Sequence, residues 1–230
     1  MKFTSPLVKG HLIKRYKRFL ADIELENGLI VTAHCANPGS MMGLKEPGLE
    51  VYLSPSSTGQ LQYRWELVKM GNHFVGINTS HPNKLVEEAL NKKLIQPLSQ
   101  YVDIRREVKY GQNSRVDFLL QSPGLSPCYL EVKNAHLKRD KGAEFPDSVT
   151  KRGAKHLQEL TNMVKQGNRA VILYIVQRTD CSTFSLAYDI DPEYAAAAKM
   201  ASESGVERLC YGCDISLEGI TISQEIPIQD

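Results

Sequence analysis

A nearly continuous apolar run at positions 170–176 restricts the fold of this chain more than any other segment. The run reads Ala-Val-Ile-Leu-Tyr-Ile-Val, and it is far shorter than the roughly 20 residues that a membrane-spanning helix needs. A strand that is apolar on both faces must be covered on both faces, as the central strands of α/β sheets are. The run therefore predicts a central strand whose sheet has helices packed against it.

Three segments have the 3.6-residue periodicity of amphipathic helices and can supply this cover. They span residues 84–94, 148–166 and 191–205. The second is predicted to begin with Asp147 or Ser148 as its N-cap, and the third with Asp191 followed by a proline in the first turn. With short strands expected at 209–211 and 220–222, the C-terminal part is predicted to be an α/β domain with a mixed sheet flanked by helices.

The first eighty residues have a different pattern, with short alternating runs and no long helical segment. Turn signals such as Glu26-Asn-Gly28 and Pro47-Gly48 separate these runs. Many short strands in so small a segment predict a small β-barrel. Because the pattern changes around residues 78–83, we expect two domains: an all-β barrel at 1–80 and an α/β domain at 81–230.

A cluster of basic residues with two interleaved aromatic residues lies near the start of the predicted barrel. Its basic members are Lys9, His11, Lys14, Arg15, Lys17 and Arg18, and the aromatic residues among them are Tyr16 and Phe19. On a small barrel, cations neutralise a phosphate backbone while aromatic rings stack on bases, so these residues are candidates for nucleic-acid binding. The same pattern also suits a solvated edge strand, and barrels of this kind bind other ligands too. A net charge of only +2 does not decide between the two interpretations.

Two strand-like runs, Ser114–Leu120 and Tyr129–Asn134, carry a notable set of ionisable side chains. Side chains two residues apart share one face of a strand, and paired strands lie about 4.8 Å apart. Asp117, Glu131 and Lys133 can therefore meet on one small patch. Two carboxylates suit Mg²⁺ or Mn²⁺, and an ammonium group suits a hydrolytic water or the charge of a phosphodiester transition state. The alternative interpretation is an ordinary surface ion pair.

Neighbouring helices can add side chains to this patch. Glu88 or Glu87 of the first predicted helix could supply a further acid. On the second predicted helix, Arg152, His156 and Glu159 line one face at three- and four-residue spacing. His156 could donate to a phosphate or to a backbone carbonyl, and the residue pattern leaves both roles open.

The cysteines and the N-terminus bear on cellular location. Five scattered cysteines, an odd number, argue against a disulfide framework. Cys210 and Cys213 have the spacing of a metal or redox pair, but no second Cys/His pair lies at a fitting distance along the chain, so structural thiols are expected. The N-terminus lacks the apolar run of a signal peptide, and no segment approaches a membrane span. We therefore expect a cytoplasmic protein without membrane contact.

Six separated motifs, in this order and spacing, resemble the sugar fermentation stimulation protein A family over essentially the whole chain. They are Cys35–Met41, Asn83–Leu90, Glu107–Gly111, Ser114–Asp117, Tyr129–Lys133 and Phe145–Gly153 with His156-Leu157. The resemblance implies an N-terminal barrel of the oligonucleotide-binding (OB) type and a C-terminal domain similar to the PD-(D/E)XK nucleases. It also implies non-specific DNA binding and a regulatory role in sugar, notably maltose, metabolism.

The resemblance also implies roles for individual residues. Transferred position by position, the acid of the nuclease-like motif falls on Asp117, its Glu-x-Lys pair on Glu131 and Lys133, and its helical acid on Glu88. The residues that would border this site are Arg152 and His156.

The chain departs from the family in two segments. Cys35-Ala-Asn-Pro-Gly39 replaces the usual Cys-Pro-Asn-Thr-Gly, and Asn134-Ala-His136 replaces the usual small residues. Neither departure touches the acidic set, so we expect a complete site. The segment 35–41 is either a turn that approaches a ligand near the domain interface or a plain loop closure.

Two functions from different classes follow from these patterns. One is a non-catalytic DNA-binding module, and the other is a Mg²⁺- or Mn²⁺-dependent nuclease. The nuclease would use Glu88, Asp117, Glu131 and Lys133, with Asp117 and Glu131 as metal ligands. Because no helix carries a cluster of base-reading side chains, weak sequence selectivity toward DNA is expected for both. A sugar-metabolising enzyme ranks third, since no sugar-kinase phosphate loop or sugar-binding carboxylate pair is recognisable. The oligomeric state stays open.

Overall fold

The computed structural model describes residues 1–57, 59–111, 114–140 and 142–229. Its N-terminal strands are β1 (Val8–Tyr16), β2 (Leu20–Leu25), β3 (Ile30–His34), β4 (Glu50–Pro55), β5 (Tyr63–Met70) and β6 (His73–Gly76). They form one sheet in the order β3-β2-β1-β4-β5-β6, and a further parallel pairing of β3 with β5 closes the first five strands into a barrel. The predicted small barrel is confirmed.

Alternation along the strands fills the barrel with apolar side chains. Ile23 and Trp65 are fully buried, and the Trp65 ring N–H donates to the Leu67 carbonyl at 3.0 Å. Gly10 lets β1 cross β2 closely, because a Cβ at this position would lie 2.6 Å from Ile23 Cγ2. Other fully buried members of this core are Ala21, Ala33, Cys35, Met41, Val51, Leu53, Val68, Val75 and Ile77.

The rest of the chain forms an α/β domain. Its strands are β7 (Asp103–Tyr110), β8 (Ser114–Gln121), β9 (Cys128–Ala135), β10 (Leu137–Arg139), β11 (Gly142–Phe145), β12 (Arg169–Val176), β13 (Phe184–Leu186), β14 (Glu207–Ile215), β15 (Ile220–Glu225) and β16 (Ile228–Gln229). A six-stranded mixed sheet has the order β15-β14-β12-β9-β8-β7, and a smaller sheet has the order β10-β11-β13-β16. The predicted central strand, β12, pairs in parallel with β9 and β14 and is buried along nearly its whole length.

Helices cover both faces of the six-stranded sheet, as the apolar β12 predicts. They are α1 (His81–Asn91), α2 (Lys151–Lys165) and α3 (Pro192–Glu203), and a 3₁₀ turn follows α1 at Gln96–Leu98. On one face Leu85 of α1 packs in a core with Phe118 and Leu130. On the other face Leu157 of α2 and Ala198 of α3 pack in a second core. The predicted α/β architecture, a mixed sheet flanked by helices, is confirmed.

The beginnings of α1 and α3 depend on proline. The first helix begins at His81 rather than at residue 84, because Pro82 suits the first turn, where no backbone N–H is needed. The third begins as predicted, with the Asp191 carboxylate accepting from the Tyr194 N–H at 3.0 Å and Pro192 in the first turn.

The predicted cap of α2 is wrong. The helix begins at Lys151, and the Thr150 hydroxyl accepts from the Gly153 N–H at 3.1 Å. Neither predicted cap, Asp147 or Ser148, has this role: Asp147 contacts a loop of the barrel, and the Ser148 hydroxyl donates to Asp147. Among the described residues, no helix is long and apolar enough to cross a membrane.

Candidate functional site

Asp117 lies where β8 and β9 separate. The paired register of these strands runs from Leu120 to Phe118, opposite Cys128 to Leu130. Beyond it, the N–H of Val132 donates to Asp117 Oδ2 at 2.8 Å rather than continuing the ladder. The other oxygen, Oδ1, accepts from the Asn83 side-chain amide of α1 at 2.8 Å. The separation of the strands thus holds a carboxylate at the point where the sheet opens.

Glu131 on β9 is the most deeply buried acid of the site, with 2% of the residue exposed. Its Oε1 accepts from Lys133 Nζ at 2.7 Å and is also contacted by His156 Nδ1 of α2. Arg152 Nε donates to the other ring nitrogen of His156 at 3.3 Å, which assigns the ring hydrogen to Nδ1 and makes it a donor to Glu131. Oε2 of Glu131 is buried and has no hydrogen-bond partner among the described residues.

The two carboxyl groups are shifted in opposite directions. Burial, and then the negative charge of Glu131, raise the pKa of Asp117 above that of an ordinary aspartate. Burial also opposes ionisation of Glu131, but the charge of Lys133 and the hydrogen bond from His156 outweigh it and hold its pKa below the usual glutamate value. Two interacting acids whose pKa values separate in this way are typical of catalytic sites.

The donor set has the chemistry of a sparsely ligated hydrated cation. Mg²⁺ keeps several waters and needs only one or two protein carboxylates, and Mn²⁺ accepts similar oxygen ligands. The buried, unpartnered Oε2 of Glu131 fits such an ion, because a buried carboxylate oxygen without a partner carries an unfavourable desolvation cost. Within the described ranges, no three His, Cys, Asp or Glu side chains are close enough to share one metal ion. The cluster therefore offers at most two such ligands to one ion, and water would supply the rest.

The structure does not bring Glu88 into this cluster. Its carboxylate contacts the Met1 amino group at 2.5 Å and Lys92 Nζ at 2.5 Å. The residue of α1 that contacts Asp117 is Asn83. Glu88 lies five residues further along the helix, so its side chain is rotated by about 140° around the helix axis relative to that of Asn83. Glu87, the other acid considered, pairs with Arg106 at 2.8 Å.

Two side chains near the site were missed by the sequence interpretation. Asn83 was quoted in a motif but was given no role, since an amide has no charge pattern to attract notice. Tyr110 is buried, and its hydroxyl has no partner in the described part of the chain. Burial, and then the charges of Glu131 and Glu159, raise the pKa of Tyr110 well above the ordinary tyrosine value. Glu159 itself accepts from the Ser114 hydroxyl at 3.2 Å.

The cationic segment of the barrel divides into structural and surface residues. The Arg15 guanidinium donates to the carbonyls of Arg18, Asn37 and Gly39 at 2.8–3.1 Å, so it holds the loop of the barrel in place. Lys14 lies 3.5 Å from Asp22 and over the Tyr16 ring, and the Tyr16 hydroxyl donates to Asp22 at 3.0 Å. The Arg18 guanidinium donates to the Pro38 carbonyl at 3.1 Å. Lys17 and Arg18 are exposed in the β1–β2 turn.

The segment 35–41 lies at the contact between barrel and α/β domain. Asp147 Oδ2 accepts from the Met41 N–H at 3.1 Å and lies 3.2 Å from His136 Nε2. Gly39 packs directly on this carboxylate, because a Cβ at position 39 would lie 2.3 Å from Asp147 Oδ2. The Asn37 amide donates to the Ile77 carbonyl at 2.9 Å. The segment therefore has a structural role in joining the two parts.

The cysteine pair does not form a chelating site. Cys210 and Cys213 are both buried on β14, but they belong to cores on opposite faces of the sheet. Burial raises the pKa of both thiols strongly, so neither is an activated thiolate. The expectation of structural thiols agrees with this placement.

The fold defines a class of two-part proteins: an OB-type barrel is followed by an α/β domain, and this α/β domain carries Asp117, Glu131 and Lys133. Residues 13–77 match the family described as SfsA N-terminal OB domain. Residues 80–219 match the family described as Sugar fermentation stimulation protein RE domain. The chain belongs to the sugar fermentation stimulation protein family, and the resemblance found in the sequence motifs is confirmed.

Individual relatives agree with this assignment. The sugar fermentation stimulation protein homologs of Paramagnetospirillum magneticum and Roseobacter denitrificans are 53% and 54% identical to the chain. The first comparison covers 96% of this chain and 95% of the relative, and the second covers 100% of both. A structure of Pyrococcus furiosus SfsA in complex with Ca²⁺ has a TM-score of 0.91 at 28% identity, with both chains covered completely.

Proposed function

We propose that this protein hydrolyses phosphodiester bonds of nucleic acids with a divalent cation held at Asp117 and Glu131. The single observation that carries the proposal is the buried Glu131 oxygen that has no hydrogen-bond partner among the described residues. It belongs to a carboxylate that Lys133 and His156 hold through its other oxygen. A fully satisfied structural ion pair would leave no such oxygen, whereas a cation ligand requires one.

The individual roles follow from the contacts. Asp117 and Glu131 would hold Mg²⁺ or Mn²⁺, which supplies neutralisation of phosphate charge and acidification of water when bound. Lys133, whose side chain is 14% exposed, donates to Glu131 from the edge of the cluster and would donate to a phosphate oxygen as negative charge develops there. His156 orients Glu131, and the exposed Arg152 beside it would contact the phosphate backbone.

The Ca²⁺ complex of the Pyrococcus furiosus relative supports a cation role, because Ca²⁺, Mg²⁺ and Mn²⁺ are all bound through oxygen ligands such as carboxylates. We keep Glu88 out of the proposed catalytic set, since its carboxylate is paired with Met1 and Lys92. Asn83 takes its place on α1 as the residue that orients Asp117.

A second candidate function is DNA binding without hydrolysis, with weak sequence selectivity. The observation that favours it is the compensation of Glu131 by Lys133 and His156, which makes the buried charge stable without any cation. In that case the protein would bind DNA in the cytoplasm without cutting it. This binding would be the basis of the regulatory role in sugar metabolism, notably that of maltose, which the family resemblance implies.

A cleavage assay separates the two candidates. Purified protein is incubated with single-stranded DNA, double-stranded DNA and RNA, in Mn²⁺, in Mg²⁺ and in EDTA. The proposal expects cleavage of at least one form with a divalent cation and none in EDTA, with Lys133→Ala inactive and the exposed Lys199→Ala fully active. Equal cleavage by both variants would assign the activity to a contaminant.

Metal binding provides a readout that does not depend on activity. Free Mn²⁺ is counted by electron paramagnetic resonance during titration of the protein, and Glu131→Gln is expected to weaken binding while the exposed Glu193→Gln is not. Absence of Mn²⁺ binding, together with absence of cleavage of every nucleic-acid form, would overturn the proposal and leave DNA binding as the function.

A further inference from the structure

Phe19 is a large aromatic side chain exposed on the surface of the barrel. It is the last residue of the β1–β2 turn and is 45% exposed. Lys17 and Arg18 in that turn adopt φ values of 48° and 63°, which non-glycine residues rarely adopt. Such a turn is retained only when the surroundings favour it, and here it directs two cations and an aromatic ring to the same surface.

The Phe19 ring is part of an ordered stack. The ring of His34 at the end of β3 is stacked with it, with ring centroids 6.4 Å apart and an interplanar angle of 21°. The Arg18 guanidinium lies 5.9 Å from the centre of the Phe19 ring. A single exposed apolar residue is common on protein surfaces and has no special meaning. A stacked aromatic pair with a cation beside it is different, because surfaces that bind single-stranded nucleic acids combine aromatic rings for base stacking with cations for phosphates.

A cavity of about 420 Å³ adjoins this stack and shares His34 with it. Its other lining residues include Gln60, Leu61 and Arg64. None of the described lining residues is acidic, and Arg64 is a cation. The volume lies in the range of pockets that hold small organic groups, about 300–1,000 Å³. The cavity therefore offers an apolar wall, an amide for base edges and a cation for phosphate.

We propose that the Phe19–His34 stack and the adjoining cavity bind unpaired bases of single-stranded nucleic acid, while Lys17 and Arg18 contact its phosphates. A duplex keeps the faces of its bases inside the helix, so only an unpaired base can cover Phe19. The inference deepens the proposed function, on which it rests for the fate of the bound strand, by naming a single strand as the substrate class.

The position of the stack is compatible with delivery of a strand to the acidic site. Arg18 donates to the Pro38 carbonyl, and the neighbouring Gly39 packs on Asp147. Asp147 precedes α2, whose first turn carries Arg152. A strand that leaves the stack along this contact meets the cationic start of α2, and then the cluster around Glu131.

Binding is tested by fluorescence anisotropy with a dye-labelled oligothymidylate of about 12 nucleotides, a length within the site size of OB folds. EDTA is present throughout, so that binding is measured without hydrolysis. Loss of one stacked base predicts that Phe19→Ala weakens binding about 5- to 150-fold, whereas Phe19→Trp retains it. Ile30→Ala on the same barrel, where Ile30 is 65% exposed, is the matched control and is expected to bind as the unmodified protein does.

The salt dependence separates stacking from phosphate contact. Phe19→Ala should leave the slope of log affinity against log salt unchanged, and Arg18→Ala should reduce its magnitude by about 0.7, the value for one phosphate of a single strand. Thermal melting of each variant checks that the barrel is folded.

The outcomes are distinct from those of the cleavage assay. Tighter binding of the single strand than of a blunt duplex, with the loss confined to Phe19→Ala, supports the inference even if no cleavage is ever seen. Unchanged affinity of a folded Phe19→Ala variant overturns it. Equal losses of affinity of the Phe19→Ala variant for single strand and duplex also overturn it, because they would show that this surface contacts phosphates of either form rather than unpaired bases.

Discussion

Two acid–histidine clusters of this protein differ in whether the oxygens of their acids all have hydrogen-bond partners. The interface cluster joins Asp147 to His136, to the Met41 N–H and to the Ser148 hydroxyl. The site cluster joins Glu131 to Lys133 and His156, with Asp117 nearby. In the interface cluster both oxygens of the acid are engaged, and in the site cluster one oxygen of Glu131 has no partner among the described residues.

The pKa directions follow the same division. Burial alone would raise the pKa of Asp147, but the contact with His136 and the Met41 N–H lower it to about 2. Burial and Glu131 instead raise the pKa of Asp117. Ionisation of Asp147 thus stabilises the fold, and ionisation of Asp117 opposes it. The comparison indicates that one cluster serves the joint between domains, whereas the other retains unfavourable electrostatics, which is typical of functional sites.

The largest expected difference between the clusters is in cleavage. Glu131→Gln removes a charged ligand of the cation, and the lost stabilisation of several kcal/mol should reduce Mn²⁺-dependent cleavage by about 10³-fold. Asp147→Asn should change the rate by less than about threefold, since Asp147 belongs to the joint and not to the site. Single-turnover rates on a labelled strand measure both, and equal losses would mean that the clusters are one functional unit.

Stability should show the reverse order. A folded-state pKa of about 2 for Asp147, against 3.8 as its ordinary value, corresponds to about 2 kcal/mol at neutral pH. Because this pKa is lowered by folding, the contribution is complete above about pH 4 and is lost as the pH falls toward 2. Urea unfolding should therefore show Asp147→Asn less stable by about 2 kcal/mol at pH 7. The Asp117→Asn variant should lose clearly less free energy of unfolding than the Asp147→Asn variant. A larger loss for Asp117→Asn would contradict the assignment of Asp147 to the joint and Asp117 to the site.

The support of Asp117 by α1 predicts a smaller effect. Asn83→Ala removes the amide that donates to Asp117 Oδ1 at 2.8 Å, so the carboxylate loses its orientation. Residues that orient a metal ligand are typically worth about 10- to 100-fold in metal affinity, and we expect a decrease at the lower end of that range. Titration with Mn²⁺ measures it, and Asn91→Ala at the exposed end of the same helix is the control. Equal affinity of both variants would show that Asn83 is only structural.

The pH dependence of cation binding should be the mildest effect. Because the pKa of Asp117 is raised, its carboxyl gains a proton at a higher pH than an ordinary aspartate does, and the cation must displace that proton. Apparent Mn²⁺ affinity should therefore fall as the pH is lowered, by at most about tenfold per pH unit for one proton. An affinity that is constant down to the ordinary range of aspartate would contradict the raised pKa.

Local patterns predicted much of this molecule because they report on neighbours along the chain. The apolar run at β12 predicted a strand covered on both faces, and alternation in β8 and β9 predicted that Asp117, Glu131 and Lys133 share one patch. The cap at Asp191 also depends only on residues that are adjacent in sequence. The domain limits 1–80 and 81–230 stay a prediction, although the two family matches end and begin at 77 and 80.

Errors arose where distant contacts compete with a local preference. Asp147 is as good an N-cap as Thr150 by residue type, but His136 and Met41 engage its carboxylate from other elements. Glu88 has the charge of a catalytic acid, but its place on α1 directs it to the N-terminus of the chain. Neither partner is visible in the local pattern.

The sequence by itself determined the two-part architecture, the strand pair that carries the acids and the family. Each of these follows from periodicity and from ordered motifs, which involve residues close together along the chain. Only the tertiary structure decided that Asn83 rather than Glu88 supports Asp117, that Arg15 holds a loop, and that Phe19 and His34 form an exposed stack. These depend on how elements rotate and pack against each other, because a side chain's electrostatic and hydrogen-bonding partners are determined by distance in space.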